Sequence, residues 1–345
     1  MQTEAMVMRA TGGPEVLERA HIELPEPGPR EVRVRVRAVA LNHIDIWARR
    51  GLPHFRYEFP HRLGADVAGE VEALGPGASG VKVGDKVVIN PGLSCGVCER
   101  CLLGQDNFCR RYKILGENTQ GGYSRHINVP DANCLPYPGD LPFTSAAAVP
   151  LCFLTAWQMV VRKARVAAGQ TVLVQAAGSG VSSAAIQIAK MLGARVITTT
   201  STAAKAERAR ELGADEVIDY THQDFVAECK RLTDKRGVDV VIEHVGGDVF
   251  AKSILAAAWG GRIVTCGATT GFSPEIDLRH VFFRQIEILG STMGPKGDLH
   301  GVLRLVAAGK LHPVVDRVMP LWQAADAHRL LEERKAFGKV VLEVD

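Results

Sequence analysis

Four cysteines crowd into fifteen residues. CGVCERCLLGQDNFC, residues 95–109, sets Cys95, Cys98, Cys101 and Cys109 at gaps of two, two and seven. Thiolates at that spacing can close a tetrahedral shell around zinc. Four sulfur ligands leave no open position for water or substrate, so such a zinc holds a loop and catalyses nothing. The plainer alternative is a cluster of reduced thiols without metal. The remaining cysteines, Cys134, Cys152, Cys229 and Cys266, are scattered singly. MQTEAMVMRA lacks the basic-then-apolar pattern of a signal peptide, which points to the cytoplasm. In that reducing compartment a cysteine cluster binds metal more readily than it forms disulfides.

A second stretch could hold phosphate. The apolar run QTVLVQ (170–175) leads into Ala177-Gly178-Ser179-Gly180-Val181-Ser182 and then the helical VSSAAIQIAKML. Small residues at such a turn let backbone N–H groups at a helix start approach a dinucleotide pyrophosphate. The turn is not a clean G-x-G-x-x-G, and any tight strand-to-helix connection also favours small residues; its place at the head of a strand–helix series selects dinucleotide binding. About 20 residues on, a site for NAD carries an acid for the ribose 2′-hydroxyl. Here the next strand runs into Thr199-Thr200-Ser201-Thr202, followed by Lys205 and Arg208. Hydroxyls and cations suit a 2′-phosphate, so NADPH is expected and NADH is the alternative. The competing reading is that Lys205 and Arg208 solvate a helix face.

These residues need elements to position them. In EVRVRVRAVAL, Val32, Val34 and Val36 alternate with Arg33, Arg35 and Arg37, the period of a half-buried strand. In GVKVGDKVVIN, Gly84-Asp85 separates two short β-rich runs and predicts a hairpin. From about residue 165 strands alternate with helices. RVITT, AAKAERAREL, EVIDY, VDVVIE, a helix near 249–258, RIVTCG and IEILGS follow in order, with Gly193 and Gly213 where helix-ending glycines belong. That alternation predicts a parallel doubly wound sheet. Amphipathic helices near 299–309 and 323–335 and a closing strand, KVVLEV, complete the chain.

Composition bounds the function. The 345 residues are 46% hydrophobic and 23% charged, enough for two domains with large cores. A net charge of +3, from 41 basic and 38 acidic residues, gives no footprint for nucleic acid. No stretch approaches the ~20 apolar residues of a membrane span.

Taken together, the motifs resemble the medium-chain dehydrogenase/reductase superfamily, which includes zinc alcohol dehydrogenases and quinone oxidoreductases. The resemblance runs nearly the whole length, through GPREVRVRVRAVALN, GADVAGEVEALGPG with VGDKV, the four-cysteine lobe, AAAVPLCFLTAW, AAGSGVSSAAIQIAK and ELGADEVIDY. It implies an α/β chain with a split GroES-like catalytic domain (1–150, zinc lobe about 92–112), a Rossmann domain (151–289), and a C-terminal return (290–345). It also implies a homodimer paired through the Rossmann edge strand, with a tetramer as the alternative.

The same resemblance tests for a catalytic metal. Alcohol dehydrogenases of the superfamily carry zinc ligands at positions that match Asn42, Ala65 and, counted back from Thr155, Leu151, with Cys152 one residue out of register. Alanine and leucine cannot ligate zinc, so no catalytic Zn2+ is expected. An improvised site from His43, Asp66 and Cys152 is the alternative. Without a Lewis acid, hydride transfer to the β-carbon of an activated C=C asks less than carbonyl reduction, because the charge delocalises into an enolate. Enones, quinones or enoyl thioesters are the expected substrates. Arg49, Arg50, Arg56 and Arg62, with His54 and His61 in WARRGLPHFRYEFPHRLG, could grip a coenzyme A phosphate. A solvated basic loop is the alternative.

The resemblance also implies residue roles. Asn42 and Thr155 would flank the nicotinamide. Ser179, Gly180 and Val181 would meet the pyrophosphate, with Lys339 adding a cation. Thr200, Ser201, Lys205 and Tyr220 would surround the 2′-phosphate. Val245, Gly246, Gly267 and Ser291 would line the nicotinamide half. The tyrosine that related enoyl-thioester reductases use as proton donor is replaced by Pro53, leaving Tyr57, His43 and His61 as candidates alongside Asn42 at the reaction centre. Two other readings stand: a zinc alcohol dehydrogenase with an improvised metal, and a non-catalytic NADPH-binding protein.

Overall fold

The computed structural model describes residues 1–52 and 55–345. They divide into one unit of residues 1–151 and 295–345, and another of residues 152–294.

The first unit is built on antiparallel β structure. Strands β1 (Gln2–Met8) and β2 (Leu17–Glu23) form a separate pair. The main sheet is laid down by β3 (Glu31–Ala40), β4 (Asp66–Leu74) and β5 (Lys86–Ile89), with helix α1 (His43–Arg50) between the first two. Strands β6 (Gly92–Leu93) and β7 (Lys113–Ile114) flank α2 (Glu99–Leu102) and pair with each other. After β8 (His126–Pro130) and β9 (Cys134–Pro136), α3 (Phe143–Ala147) leads to α4 (Pro150–Trp157).

The alternation in β3 does its expected work only in part. Val32, Val34 and Val36 are buried, but so is Arg33, whose Nη2 reaches Pro25 O and Glu26; Arg35 points to solvent and pairs with Glu70. The hairpin expected at Gly84-Asp85 is not formed. Gly80 and Gly84 both take positive φ, residues 80–85 form a turn that Asp85 caps through Lys82 N, and β5 pairs instead with β4. Val81 packs against the core but Val83 is exposed, so the run lacks the apolar face of a strand.

The second unit is a six-stranded parallel sheet with intervening helices. In chain order it runs β10 (Thr171–Val174), α5 (Gly180–Met191), β11 (Arg195–Thr200), α6 (Ala203–Glu211), β12 (Glu216–Asp219) and α7 (Phe225–Leu232). It continues with β13 (Val238–Glu243), α8 (Gly247–Ala256), β14 (Ala257–Thr265), α9 (Leu278–Arg284) and β15 (Glu287–Gly290). The order β12-β11-β10-β13-β14-β15 is the doubly wound arrangement, and it reverses direction beside β10, where such sheets bind dinucleotides. Leu173, Ile197, Val241 and Ile263 are buried on one face of the sheet and Val172, Val174, Val196, Val240 and Ile242 on the other, so both faces are covered and the strands read as nearly continuous apolar runs.

The chain then returns to the first unit with α10 (Lys296–Ala307), β16 (Val315–Pro320), α11 (Ala324–Glu332) and β17 (Lys339–Glu343). β17 pairs antiparallel with β3 and carries Val340 and Leu342 into the same core as Val34 and Val67. Tail residues thereby lie beside residue 40, a neighbourhood that sequence distance conceals.

Candidate active site and metal centre

The cysteines come together. Any two of the Sγ atoms of Cys95, Cys98, Cys101 and Cys109 lie within 4.8 Å, with Cys95–Cys101 at 3.8 Å and Cys98–Cys101 at 3.5 Å. A tetrahedron with metal–sulfur bonds of ~2.3 Å has edges of about 3.8 Å, so the thiols fit a zinc-sized ion. Arg111 donates its backbone N–H to Cys109 Sγ at 3.4 Å. The Val97 N–H and the Arg111 side chain hold the Cys95 thiol down at about 5. Among the described residues this is the one group in which three or more ligand side chains converge.

Asp66 is engaged otherwise. It opens β4 fully buried, and its Oδ1 accepts the Leu151 N–H at 2.8 Å. Its Oδ2 accepts from Asn42 Nδ2 at 3.0 Å and from Lys339 Nζ at 3.0 Å. Lys339 Nζ also donates to Asn42 Oδ1 at 2.5 Å. Asn42 Nδ2 makes a second bond, to Ala40 O at 3.3 Å. The positions matched to metal ligands do meet, but around a carboxylate whose charge a buried ammonium balances. Two expectations change as a result. Lys339 is 4% exposed and charge-matched by Asp66, rather than a cation presented to phosphate. Asn42 has committed both amide hydrogens within the first unit, so it has none to give an enolate.

Asp45 completes this network. It accepts Asn42 N at 2.7 Å and Gly64 N at 2.9 Å, and burial pushes its carboxyl up to about 6.

The proton-donor candidates separate clearly. His61 is buried, with Nε2 on Gly116 O at 3.0 Å, and burial lowers its pKa; its one ring hydrogen is committed to a carbonyl, so its role is structural. His43 opens α1 against Trp47, ring centroids 6.4 Å apart. Tyr57 packs edge-on to His61 at 5.0 Å, between Phe55 and Phe59. Its hydroxyl is shielded and has no hydrogen bond of ordinary geometry among the described residues; burial raises its pKa, against a smaller lowering by the Leu52 backbone. Pro53 and His54 lie outside the described residues.

Only part of the basic segment faces solvent: Arg50 and Arg56 are exposed, while the other two arginines are buried. Arg49 is fully buried, with Nη1 on His328 Nδ1 at 3.1 Å and Nη2 on Glu332 at 2.5 Å. Arg50 shares Glu332, and Arg62 is buried against Ser124 and His126 O. Of the four arginines, Arg49 and Arg62 are thus removed as phosphate ligands.

In the second unit the expected cofactor residues gather at the C-terminal ends of the parallel strands, where such sheets bind ligands. Ser179 is the N-cap of α5, its Oγ accepting from Ser182 N at 3.0 Å, and Gly180 and Val181 follow with first-turn N–H groups that find no carbonyl within the helix. Beyond β11, Thr200 O accepts Tyr220 N at 3.1 Å, and Thr202 caps α6 through Lys205 N. No acid stands at this strand end. Thr265, closing β14, ties Gly267 to Ser291: its Oγ1 donates to Gly267 O and its carbonyl accepts Ser291 N. Ser291 Oγ is buried without a partner among the described residues, the kind of orphan that a bound amide would satisfy. Thr155 is buried, with Oγ1 directed at Met293 Sδ at 3.9 Å.

Sequence reasoning missed Glu243 and His244, although EHVGG was in view. Glu243 accepts Val245 N at 2.8 Å and Gly246 N at 3.0 Å, holding that turn in place, and burial raises its carboxyl.

Family models agree with this architecture. An "Alcohol dehydrogenase GroES-like domain" matches residues 28–139 and a "Zinc-binding dehydrogenase" domain matches residues 180–308. A solved structure described as an NAD-dependent alcohol dehydrogenase is 57% identical with a TM-score of 0.96, covering 99% of this chain and 100% of that one. A quinone oxidoreductase of Pseudomonas aeruginosa is 33% identical, over 96% of this chain and 97% of its own. An acryloyl-coenzyme A reductase of Metallosphaera sedula is 31% identical, over 94% and 96%.

Proposed function

Because the chain belongs to the medium-chain dehydrogenase/reductase family of oxidoreductases, we propose that it is an NADPH-dependent reductase of activated C=C bonds. One observation carries this reading: the Asp66 carboxylate beside Asn42 and Leu151 is matched by the Lys339 ammonium, and Ala65 and Leu151 offer no donor side chain. Carbonyl reduction by a Lewis acid has no ligand set to use there. A reduced nicotinamide cofactor, when bound, supplies the hydride, which goes to the β-carbon of an α,β-unsaturated carbonyl. The enolate left behind takes a proton from Tyr57 or from water; burial keeps Tyr57 protonated, as a donor must be.

Ser179, Gly180 and Val181 are assigned to the pyrophosphate, and Thr200, Ser201, Lys205 and Tyr220 to the 2′-phosphate. Thr155, Val245, Gly246, Gly267 and Ser291 are assigned to the nicotinamide half. The absence of an acid after β11 supports NADPH over NADH. One structural Zn2+ is assigned to Cys95, Cys98, Cys101 and Cys109. An enoyl thioester remains the favoured substrate chiefly because of the acryloyl-coenzyme A reductase relative, since only Arg50 and Arg56 of the four arginines remain exposed.

A second reading, NAD-dependent alcohol oxidation, is favoured by the name of the 57% identical structure. Incubation with NADPH and an α,β-unsaturated aldehyde, with the product identified by mass and NMR, separates the two. Saturated aldehyde is expected; allylic alcohol would overturn the proposal. A parallel comparison of NADPH with NADH and of the aldehyde with its coenzyme A thioester ranks cofactor and substrate.

A further inference from the structure

The turn between β10 and α5 has few glycines for a phosphate-binding turn, and something else must hold its backbone. A buried side chain from another strand does so. His244 follows β13 and is 9% exposed. Its Nε2 lies 3.0 Å from Ser179 Oγ and 2.8 Å from Ser182 Oγ. Ser182 is fully buried and its Oγ is 2.6 Å from Gln175 O, at the end of β10. Ser179 Oγ is 2.9 Å from Ser182 Oγ and accepts Ser182 N.

Counting hydrogens fixes the directions. The Gln175 carbonyl can only accept, so the Ser182 hydroxyl hydrogen goes there. The hydrogen between the two serines then comes from Ser179. Neither serine has a hydrogen left for His244, so Nε2 must carry one and donate to both oxygens. The ring is held in its Nε2–H tautomer, and it links the end of β13 to the N-cap of α5 and the end of β10.

We propose that His244 is a positioning residue for the dinucleotide turn: by donating to Ser179 and Ser182 it holds the α5 N-cap so that the Gly180 and Val181 N–H groups face the cofactor pyrophosphate. This rests on the dinucleotide-binding reading above. It also means that the half-buried Ser179 side chain is committed within the turn, and that backbone at Ser179, Gly180 and Val181 meets phosphate.

The test compares His244→Ala, His244→Gln and the wild type by fluorescence titration with NADPH and by competition with adenosine 2′-monophosphate, which has no pyrophosphate. His244→Ala should weaken NADPH tenfold or more while leaving adenosine 2′-monophosphate unchanged. At saturating NADPH, kcat should change far less than the cofactor KM. His244→Gln, which keeps an N–H donor, should recover part of the loss. Unchanged NADPH affinity, or equal weakening of both nucleotides, would overturn the inference. Should His244→Ala not fold, Ser182→Ala removes one of the two acceptors and is read by the same criteria. A wild type that binds neither nucleotide would refute the dinucleotide reading itself, a result distinct from failure of the His244 role.

Discussion

At the scale of single residues, the first unit buries several charged side chains, and three of them meet in one place. Asp45, Asp66 and Lys339 lie in or beside one hydrogen-bonded cluster with Asn42, and only Asp66 has a cationic partner in direct contact. Asp45 has backbone donors alone, and desolvation outweighs them, lifting its carboxyl from 3.8 to about 6. A carboxyl raised in the fold is harder to ionise there than in the unfolded chain. Its penalty is absent below about pH 4, grows as pH rises toward 6, and is complete above, with a size on the order of 3 kcal/mol. Unfolding in urea should therefore show the wild type gaining stability relative to Asp45→Asn when pH falls from 7 to 4.5. A stability difference that does not vary with pH would refute this account of Asp45.

At the scale of elements, the four-cysteine lobe is the segment least able to hold itself together. Between β6 and β7 it has only the four-residue α2 and a short turn, with Val97, Leu102, Leu103 and Phe108 exposed. Burial of so few apolar groups cannot offset the entropy of ordering the loop, whereas metal–thiolate bonds can. Purified protein should contain one zinc per chain by elemental analysis. Stripping it with a thiol-reactive mercurial and chelator should expose residues 92–112 to protease, while the parallel sheet keeps its amide-exchange protection. Zinc-free protein with an intact, protease-resistant lobe would show that the cysteines are simply thiols. The arginines of the α1 segment teach the opposite lesson. The hydrophilic pattern of WARRGLPHFRYEFPHRLG signalled a surface, yet Arg49 is buried because α11 brings His328 and Glu332 to it.

At the scale of the whole molecule, β15 ends the parallel sheet with an open edge, and Ile288, Phe282, Phe283 and Trp259 on or near it are exposed. An unpaired edge beside exposed aromatic residues favours pairing with a second copy. Sedimentation should give a dimer, and Phe283→Glu combined with Ile288→Lys should give a monomer whose parallel sheet is still folded. A wild type that is monomeric at micromolar concentration would refute the pairing. Among the described residues, no helix is long and apolar enough to cross a membrane.

What the sequence determined by itself was local. The cysteine spacing, the strand–helix alternation from residue 165, the helix-ending glycines Gly193 and Gly213 and the missing acid after Thr200 all depend on neighbours a few residues apart, within reach of periodicity and turn chemistry. The tertiary structure decided which distant groups met. Lys339 reached Asn42 and Asp66 only because β17 pairs with β3, across 297 residues in the first case. His244 reached Ser179 only because β13 lies next to β10, joining residues 65 apart in sequence. Sheet pairing sets such contacts, and a buried charge or imidazole takes its role from the partner it finds there, which no spacing along the chain encodes.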